Sequence, residues 1–228
     1  MVTGDKTVDE APALTLAVDG RRPPTPVAVK ELADLCDRVE DTGPGAVAVL
    51  RVAGMPDPDW VTGLDTAVVT KWERTVRRFE RLPAVTVAVA AGDTGGCALD
   101  ALLAADLRVV AAGTRLTLPA DGEATWPGMA AFRLVRLLGA GRARRAVLFG
   151  DPVGAEEALA LGLADEVSDD PDRALADLVL RYGDGGGSEL AVRRQLLLDD
   201  ATTSFEDALG SHLAACDRAL RRAAREPA

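Results

Sequence analysis

Residues 82–112 read LPAVTVAVAAGDTGGCALDALLAADLRVVAA and carry the strongest structural signal in the chain. They predict a buried strand at 85–90, a glycine turn at 92–96, a short apolar helix at 97–104 and a second buried strand at 107–111. Apolar runs of this length, bounded by proline and glycine, are typical of strands that are covered on both faces. The segment therefore predicts an α/β fold with a buried sheet.

The glycine turn places Gly95 and Gly96 at the predicted start of the helix. The first amides of a helix have no intrahelical acceptor and carry partial positive charge, so they suit an oxyanion or an anionic group. Glycine also lets a ligand approach the main chain closely. A Gly-Gly pair before a helix is often only a tight strand-to-helix turn, and the local sequence by itself favours that interpretation over a ligand site.

A strand–helix–strand unit precedes this segment. Residues 14–18 alternate as a strand, the Thr-Pro pair at 25–26 is suited to start a helix, and 46–52 form a second apolar strand. Strands joined in this way are expected to be parallel. A long helix is predicted over residues 60–81, with a charged face, including Glu73, that we expect to be solvated.

Composition narrows the range of partners. The chain has 26 Lys and Arg against 36 Asp and Glu, and the net charge of −10 argues against binding to nucleic acid or an anionic membrane. No apolar stretch reaches the length of a membrane span, and the N-terminus does not resemble a signal peptide. The cysteines, Cys36, Cys97 and Cys216, have no metal or redox spacing, which predicts a cytoplasmic protein with reduced thiols and no metal site.

Three parts are predicted along the chain: a flexible tail over 1–13, a core over 14–182 and C-terminal helices over 183–228. The boundary at 183–187 is glycine-rich, a composition typical of a flexible linker. The single histidine, His212, falls on the apolar stripe of the last predicted helix, where a packing role is expected. That inventory argues against a Ser-His-Asp hydrolase and against a histidine-rich metal site.

Several motifs match a known family in order and spacing over about residues 46–167. They are GGCAL at 95–99, AAD at 104–106 and GDPVGAEEALALGLA at 150–164. This pattern resembles the crotonase (enoyl-CoA hydratase/isomerase) superfamily. The resemblance implies an α/β protein with a crotonase-like ββα spiral core and a C-terminal helical trimerisation region.

The resemblance also implies an oxyanion hole built from backbone amides. Gly95 and Gly96 match the family's glycine turn, and the first loop of the hole corresponds to Ala53 and Gly54. Pro56, shortly after them, has no N–H to donate. An ordinary strand-to-helix connection remains an open interpretation of this loop.

The two glutamates with which the family transfers protons correspond to Ala98 and Ala120, and neither alanine can carry a proton. Asp121 follows the second lost glutamate directly and is the candidate substitute, because a partly buried carboxyl in a loop over the pocket could have a raised pKa. Asp100, in the helix after the turn, is expected to face solvent or a packing partner. Whether the protein is an enzyme is therefore left open.

Trp126 and Gly128 lie in a segment that is similar to the family's Pro-rich loop, with Pro119 and Pro127 at the family's spacing. A tryptophan here could stack against a ligand ring, which makes Trp126 and Gly128 candidate substrate-binding residues. A tryptophan that only packs in the core is the alternative.

Three stretches indicate a particular branch of this superfamily. They are GDTGGC at 92–97, ATWPGM at 124–129 and DDATTSFEDAL at 199–209. They look like the DpgB-like branch of 3,5-dihydroxyphenylglycine biosynthesis, which serves glycopeptide antibiotics. The branch implies a type III polyketide synthase as partner and an acyl-CoA or polyketide thioester as substrate or ligand, with no separate cofactor. Its implied role is to assist dehydration and aromatisation to 3,5-dihydroxyphenylacetyl-CoA.

Two alternatives to that role stay open: a catalytically inactive subunit that activates the synthase by contact, and an ordinary enoyl-CoA hydratase/isomerase. In the superfamily the C-terminal helices pack across subunits, which implies a homotrimer or hexamer here. The stripe that would supply this packing consists of Phe205, Leu209, Leu213, Cys216 and Leu220.

Overall fold

The computed structural model describes residues 13–120, 124–200 and 202–223. The strands are β1 (Ala13–Asp19), β2 (Val47–Gly54), β3 (Val85–Thr94), β4 (Leu107–Ala111), β5 (Arg115–Leu116), β6 (Val153–Gly154) and β7 (Glu166–Ser168). The helices are α1 (Pro26–Thr42), α2 (Thr66–Phe79), α3 (Gly96–Ala104), α4 (Met129–Leu138), α5 (Ala140–Phe149), α6 (Ala155–Leu161), α7 (Pro171–Tyr182), α8 (Ser188–Asp200) and α9 (Phe205–Ala223). The predicted alternation of strands and helices in the first half of the chain is confirmed.

The main sheet has the strand order β1-β2-β3-β4-β7, and all of these pairs are parallel. Parallel neighbours need a crossover, and α1, α2 and α3 supply it between successive strands. β5 pairs with the end of β3 and, in antiparallel fashion, with β6. Because the strands are parallel, the loops after β1, β2 and β3 meet at one edge of the sheet, where the glycine turn lies.

The central strands β2 and β3 are buried on both faces along most of their length, as the apolar runs predict, whereas the edge strand β1 is partly exposed. Alternate residues of β2 point to opposite sides: Ala48 and Leu50 join the core beneath the first three helices, whereas Val47 and Val49 pack in a second cluster with α7. All four side chains are fully buried. Burial on both sides holds the strand ends, and hence the loops that follow them, at fixed positions.

The first helix begins as predicted, and the second does not. Thr25 caps α1 by accepting a hydrogen bond from the Ala28 amide at 3.1 Å, with Pro26 as the first helical residue. The helix predicted over 60–81 begins only at Thr66. Gly63 adopts φ +77°, a left-handed conformation that interrupts a helix, and α2 starts beyond it.

The glycine-rich stretch 183–187 contacts the core at both of its ends. Gly183 is buried, and the Gly187 amide donates to the Pro83 carbonyl at 2.7 Å. Beyond it, Arg194 of α8 reaches the sheet and pairs with Asp106, with Nε 2.6 Å from Oδ1.

Of the predicted tail, residues 1–12 lie outside the described residues, and Ala13 already belongs to β1. Within the described ranges, no helix combines the length and apolarity needed to cross a membrane.

Candidate functional site

The start of α3 is tightly enclosed by the loops that follow β1 and β2. Gly95 is the N-cap in an extended conformation, and Gly96 has φ +51°, in the left-handed region that favours glycine. A Cβ on Gly95 would overlap the Met55 sulfur, and one on Gly96 would come within 2.9 Å of the Gly20 carbonyl oxygen. The two adjacent glycines therefore allow three loops to meet here, which is the geometric reason for the Gly-Gly pair.

The predicted oxyanion donors are distributed over two sides of this turn. The Gly95 amide donates to the Gly54 carbonyl at 2.9 Å, so this amide has an acceptor within the protein. Gly96 is the first residue of α3, where the helix supplies no acceptor, and it lines a small cavity. Ala53 and Gly54 line a separate groove. Gly96 therefore lines one cavity and the pair Ala53 and Gly54 another, and their joint role in an oxyanion hole stays a prediction.

The groove beside Ala53 and Gly54 is wide, about 750 Å³, and runs along the ends of β1, β2 and β3. Its arginines are paired with aspartates. Arg21 contacts Asp19 at 2.9 Å, and Arg51 contacts Asp172 at 2.6 Å. Asp93, in the groove wall, is paired with Arg115 at 2.6 Å. Positive and negative groups are therefore balanced along this groove.

The cavity at the start of α3 measures about 20 Å³, enough for a single water molecule. Trp60, Trp72 and Trp126, the only tryptophans in the sequence, all line it. Trp60 and Trp126 pack edge to face with their ring centres 5.2 Å apart. Gly128, the N-cap of α4, also lines it. The other lining residues are Pro24, Leu64, Val69, Glu73, Gly96, Cys97, Asp100, Leu118, Pro119 and Ala130.

Ala98 and Ala120, which the resemblance predicts at the positions of the two family glutamates, carry only methyl groups. Ala98 is fully buried, and a Cβ added to Gly20 would lie 2.8 Å from its side chain. Ala120 is exposed, and its carbonyl accepts a hydrogen bond from Trp60 Nε1 at 2.9 Å. Asp121, the predicted proton carrier, lies outside the described residues.

The carboxyl-bearing residues that line the cavity are Asp100 and Glu73. Asp100 lies one turn after Gly96 on α3 and accepts a hydrogen bond from Trp72 Nε1 at 3.1 Å. Arg133 of α4 lies with Nη1 3.7 Å from the Asp100 carboxyl and 2.9 Å from that of Glu73, and 4.0 Å separates its Nε from Glu80. All four charged side chains are less than one-fifth exposed.

Sequence reasoning missed this cluster because its members are far apart in the chain. Glu73 was expected on a solvated face of α2, yet it is largely buried against Arg133, sixty residues later. Asp100 does have a packing partner, Trp72, which was one of the two expectations. A buried arginine has no local sequence signature, since the helix that carries it packs across α3 only in the folded chain.

The cluster changes the acidity of its carboxyls. Burial raises the pKa of Asp100 to about 7, and the nearby charge of Glu73 acts in the same direction, against Arg133 and the Trp72 N–H. Burial also raises the pKa of Glu73, partly offset by Arg133. The cavity thus holds a carboxyl that exchanges its proton near neutral pH. Burial raises the pKa of the Cys97 thiol well above its ordinary value, so that thiol stays protonated.

The remaining candidate side chains contribute no further chemistry here. His212 is not packed in the apolar stripe: its Nε2 lies 3.1 Å from an Asp200 oxygen, and the side chain is nearly half exposed. In the described part of the chain, no group of three or more His, Cys, Asp or Glu side chains could hold a metal ion.

The parallel sheet and the glycine turn beside a cavity define an α/β protein of the crotonase type. The chain belongs to the enoyl-CoA hydratase/isomerase family, whose model matches residues 62–193. It is 54% identical over 211 residues to an enoyl-CoA-hydratase of Amycolatopsis orientalis, which covers 92% of this chain and 97% of that protein.

Solved structures show the same fold. An enoyl-CoA hydratase/isomerase from Mycobacterium abscessus superposes with a TM-score of 0.76 at 22% identity, covering 93% of this chain and 89% of the other. One from Cupriavidus metallidurans gives 0.75 at 17% identity, covering 91% and 84%. The predicted superfamily and α/β fold class are therefore confirmed, whereas the DpgB-like branch stays a prediction.

Proposed function

We propose that this protein binds an acyl-CoA or polyketide thioester and promotes its dehydration and aromatisation. The thioester would be supplied by a type III polyketide synthase, and the product would be 3,5-dihydroxyphenylacetyl-CoA. One observation carries the proposal: in a chain of the enoyl-CoA hydratase/isomerase family, the first amides of α3 line the same cavity as a buried carboxyl. The Amycolatopsis orientalis relative, itself called an enoyl-CoA-hydratase, supports thioester chemistry.

The chemistry needs a site that holds negative charge on the thioester oxygen. Removal of a proton beside the carbonyl, or loss of a hydroxyl one carbon further on, places charge on that oxygen. Gly96 and Cys97 line the cavity at the start of α3, where the helix supplies no acceptor for the first amides, so we propose their amides as the donors. Gly95, Ala53 and Gly54 would support the turn and the adjoining groove. Asp121 stays a predicted proton carrier.

Binding of an acyl group requires a local change, because a cavity of about 20 Å³ is smaller than any acyl chain. Trp60 and Trp126 form much of the cavity wall by their edge-to-face contact. A thioester that enters must therefore displace or reorient these rings, and Trp126 and Gly128 would then contact the acyl portion. Because every tryptophan of the chain lines this cavity, intrinsic fluorescence would report the event directly.

One experiment distinguishes dehydration of the thioester by this protein from activation of the synthase by contact with it. The purified protein is added to the polyketide thioesters that the isolated synthase makes from malonyl-CoA, after removal of the synthase. Release of water and formation of the aromatic thioester by this protein alone, with loss of turnover in Asp121→Asn, supports the proposal with that residue as proton carrier. Absence of any reaction would contradict it.

A second candidate function is an inactive subunit that activates the synthase by contact. The alanines at both glutamate positions and the small cavity favour it. In that case the protein would increase synthase turnover only when both are present, and Asp121→Asn would have the same effect as the unaltered protein. A homotrimer or hexamer is expected under either proposal.

A further inference from the structure

A groove that the proposed thioester chemistry does not use lies between the C-terminal end of α3, α4 and α8, and we call it the α8 groove. It measures about 270 Å³. Pockets for small molecules typically measure about 300–1,000 Å³, so this groove is near the lower limit and suits a ligand much smaller than a CoA thioester. Its apolar wall consists of Leu103, Phe132, Leu137, Leu197 and Leu198.

The apolar wall of the α8 groove is open to solvent. Phe132 and Leu137 of α4 and Leu197 of α8 are all exposed. Apolar side chains that are exposed around a concave surface are unfavourable in water and mark a place where another molecule binds. A ligand of this groove therefore has an apolar body that covers these three side chains.

Four arginines also line the α8 groove, and two of them already have carboxylate partners within the protein. Arg194 pairs with Asp106 at 2.5 Å, and Arg133 pairs with Glu73 at 2.9 Å. All four of these side chains are at most one-quarter exposed, so the fold holds the two pairs in place. Arg194 and Arg133 are therefore committed to contacts within the protein.

The C-terminal end of α3 lines the same groove, and its partial negative charge would oppose an anion. Arg108 offsets this charge, because its Nη1 donates to the Ala105 carbonyl at 2.6 Å. The only carboxylate paired with Arg108 in the described part of the chain is that of Asp165, at 4.0 Å. The helix end therefore does not prevent a negatively charged ligand from entering the groove.

The fourth arginine, Arg136 of α4, has no carboxylate partner among the described residues. Its guanidinium lies over the Phe132 ring, with Cζ 5.6 Å from the ring centre. An arginine stacked on a ring can still bind a carboxylate with its N–H groups through two parallel hydrogen bonds. Glu80, the other acid of the groove besides Asp106, forms an ion pair with Arg77. Within the described ranges, Arg136 is thus the cation of the groove that lacks a counter-charge.

We propose that the α8 groove is a second binding site, for a small carboxylate that has an aromatic or other apolar body. The carboxylate pairs with Arg136, and the body packs on the apolar wall. One unpaired cation balances a single negative charge, whereas a phosphate dianion would bring excess negative charge close to Glu80. The site is at the opposite end of α3 from the Gly96 amide, and it does not depend on the proposed thioester chemistry.

Binding of phenylacetate, which has one carboxylate and one ring, tests this site. Its affinity for the protein is measured by isothermal titration calorimetry, and we expect saturable binding of one molecule per chain. Arg136→Gln should weaken binding at least about tenfold, because a hydrogen bond between charged groups is lost. Arg142→Gln removes an exposed arginine of α5 that does not line the groove, and this control should bind like the unaltered protein.

A second variant and a second probe test the apolar wall and the charge separately. Leu197→Ser changes an exposed side chain and should therefore fold, but it should weaken phenylacetate binding because part of the wall is lost. Phenethylamine, which has the same ring and a positive charge, should not bind. Binding of phenethylamine as tight as that of phenylacetate would contradict the assigned role of Arg136.

Three further results would overturn the proposal. The first is absence of saturable phenylacetate binding to the unaltered protein. The second is equal affinity in Arg136→Gln and the unaltered protein, which would place the probe elsewhere, for example beside Gly96. The third is a change of oligomeric state in Arg136→Gln by light scattering with no change in affinity, which would identify the groove as a contact between copies of the chain. Each of these results leaves the proposed thioester chemistry intact.

Discussion

Individual side chains around the first turn of α3 determine what chemistry the site can perform. Ala98 is fully buried beneath Gly20 and offers no proton-transfer group, whereas Asp100, two residues later, reaches the cavity. The cavity therefore keeps a group that is capable of acid–base chemistry, and we predict that it does not support ordinary hydration.

Ala98→Glu tests the predicted lack of hydration at the position that the resemblance assigns to the family's first glutamate. The added carboxyl would be buried against Gly20, so we expect the free energy of unfolding to fall by about 2 kcal/mol or more in urea titrations. Ala112→Glu, at an exposed position, is the control and should change little. Neither the unaltered protein nor Ala98→Glu should hydrate crotonyl-CoA measurably. Hydration at an ordinary enzymatic rate by either one would contradict the interpretation.

Asp100→Asn should also change how stability depends on pH. Burial raises the pKa of Asp100 from its ordinary value of 3.8 to about 7 in the folded protein, so the folded state binds this proton more tightly than the unfolded chain does. The proton bound by Asp100 therefore adds to the free energy of unfolding below about pH 4, and this contribution is lost as the pH rises to about 7. Relative to the unaltered protein, the variant should therefore gain about 1 kcal/mol or more between pH 5 and pH 8 in urea unfolding. A difference between the two proteins that is independent of pH would rule out the raised pKa.

Among the elements, those set by short-range signals were predicted well. β1, α1 and β2 follow from the alternation of apolar residues, the Thr25 cap and the glycines after the helix. The start of α2 was placed six residues too early because Gly63 was not recognised as a break. The Glu73–Arg133–Asp100 cluster could not be predicted, since it depends on how α2, α3 and α4 pack.

A single residue, Arg194, attaches α8 to the core. Arg194 pairs with Asp106 and also donates to the carbonyls of Leu82 and Ala84, all at the edge of the core. Arg194→Ala would leave Asp106 without its cation, and we expect a loss of about 3–5 kcal/mol in the free energy of unfolding. Hydrogen exchange should show α8 exchanging faster. Arg193→Ala, its exposed neighbour, should leave exchange in α8 unchanged, and equal effects of the two variants would contradict this role.

At the scale of the whole molecule, α9 leaves an apolar stripe uncovered. Phe205, Leu213 and Leu220 are 74%, 58% and 71% exposed, and Leu209 and Cys216 are exposed as well. Exposed apolar side chains in a row are unfavourable in water and mark interaction surfaces. The predicted homotrimer or hexamer would cover this stripe.

The double variant Phe205→Ser, Leu213→Glu tests that assembly. A charge within the stripe opposes its burial, so the variant should elute as a monomer in size-exclusion chromatography with light scattering. Arg218→Ala, an exposed residue between the members of the stripe, is the control and should keep the assembly of the unaltered protein. A monomeric unaltered protein at micromolar concentration would contradict the prediction.

The central claim is that the first amides of α3 polarise a thioester carbonyl. Its most direct test is isotope-edited infrared spectroscopy of phenylacetyl-CoA labelled with ¹³C at the carbonyl, bound to the protein. Hydrogen bonds from Gly96 and Cys97 should weaken the C=O bond, so the account predicts a lower stretching frequency than for the thioester free in water, together with a change in tryptophan fluorescence. A bound thioester whose carbonyl frequency equals that of the free compound would contradict it.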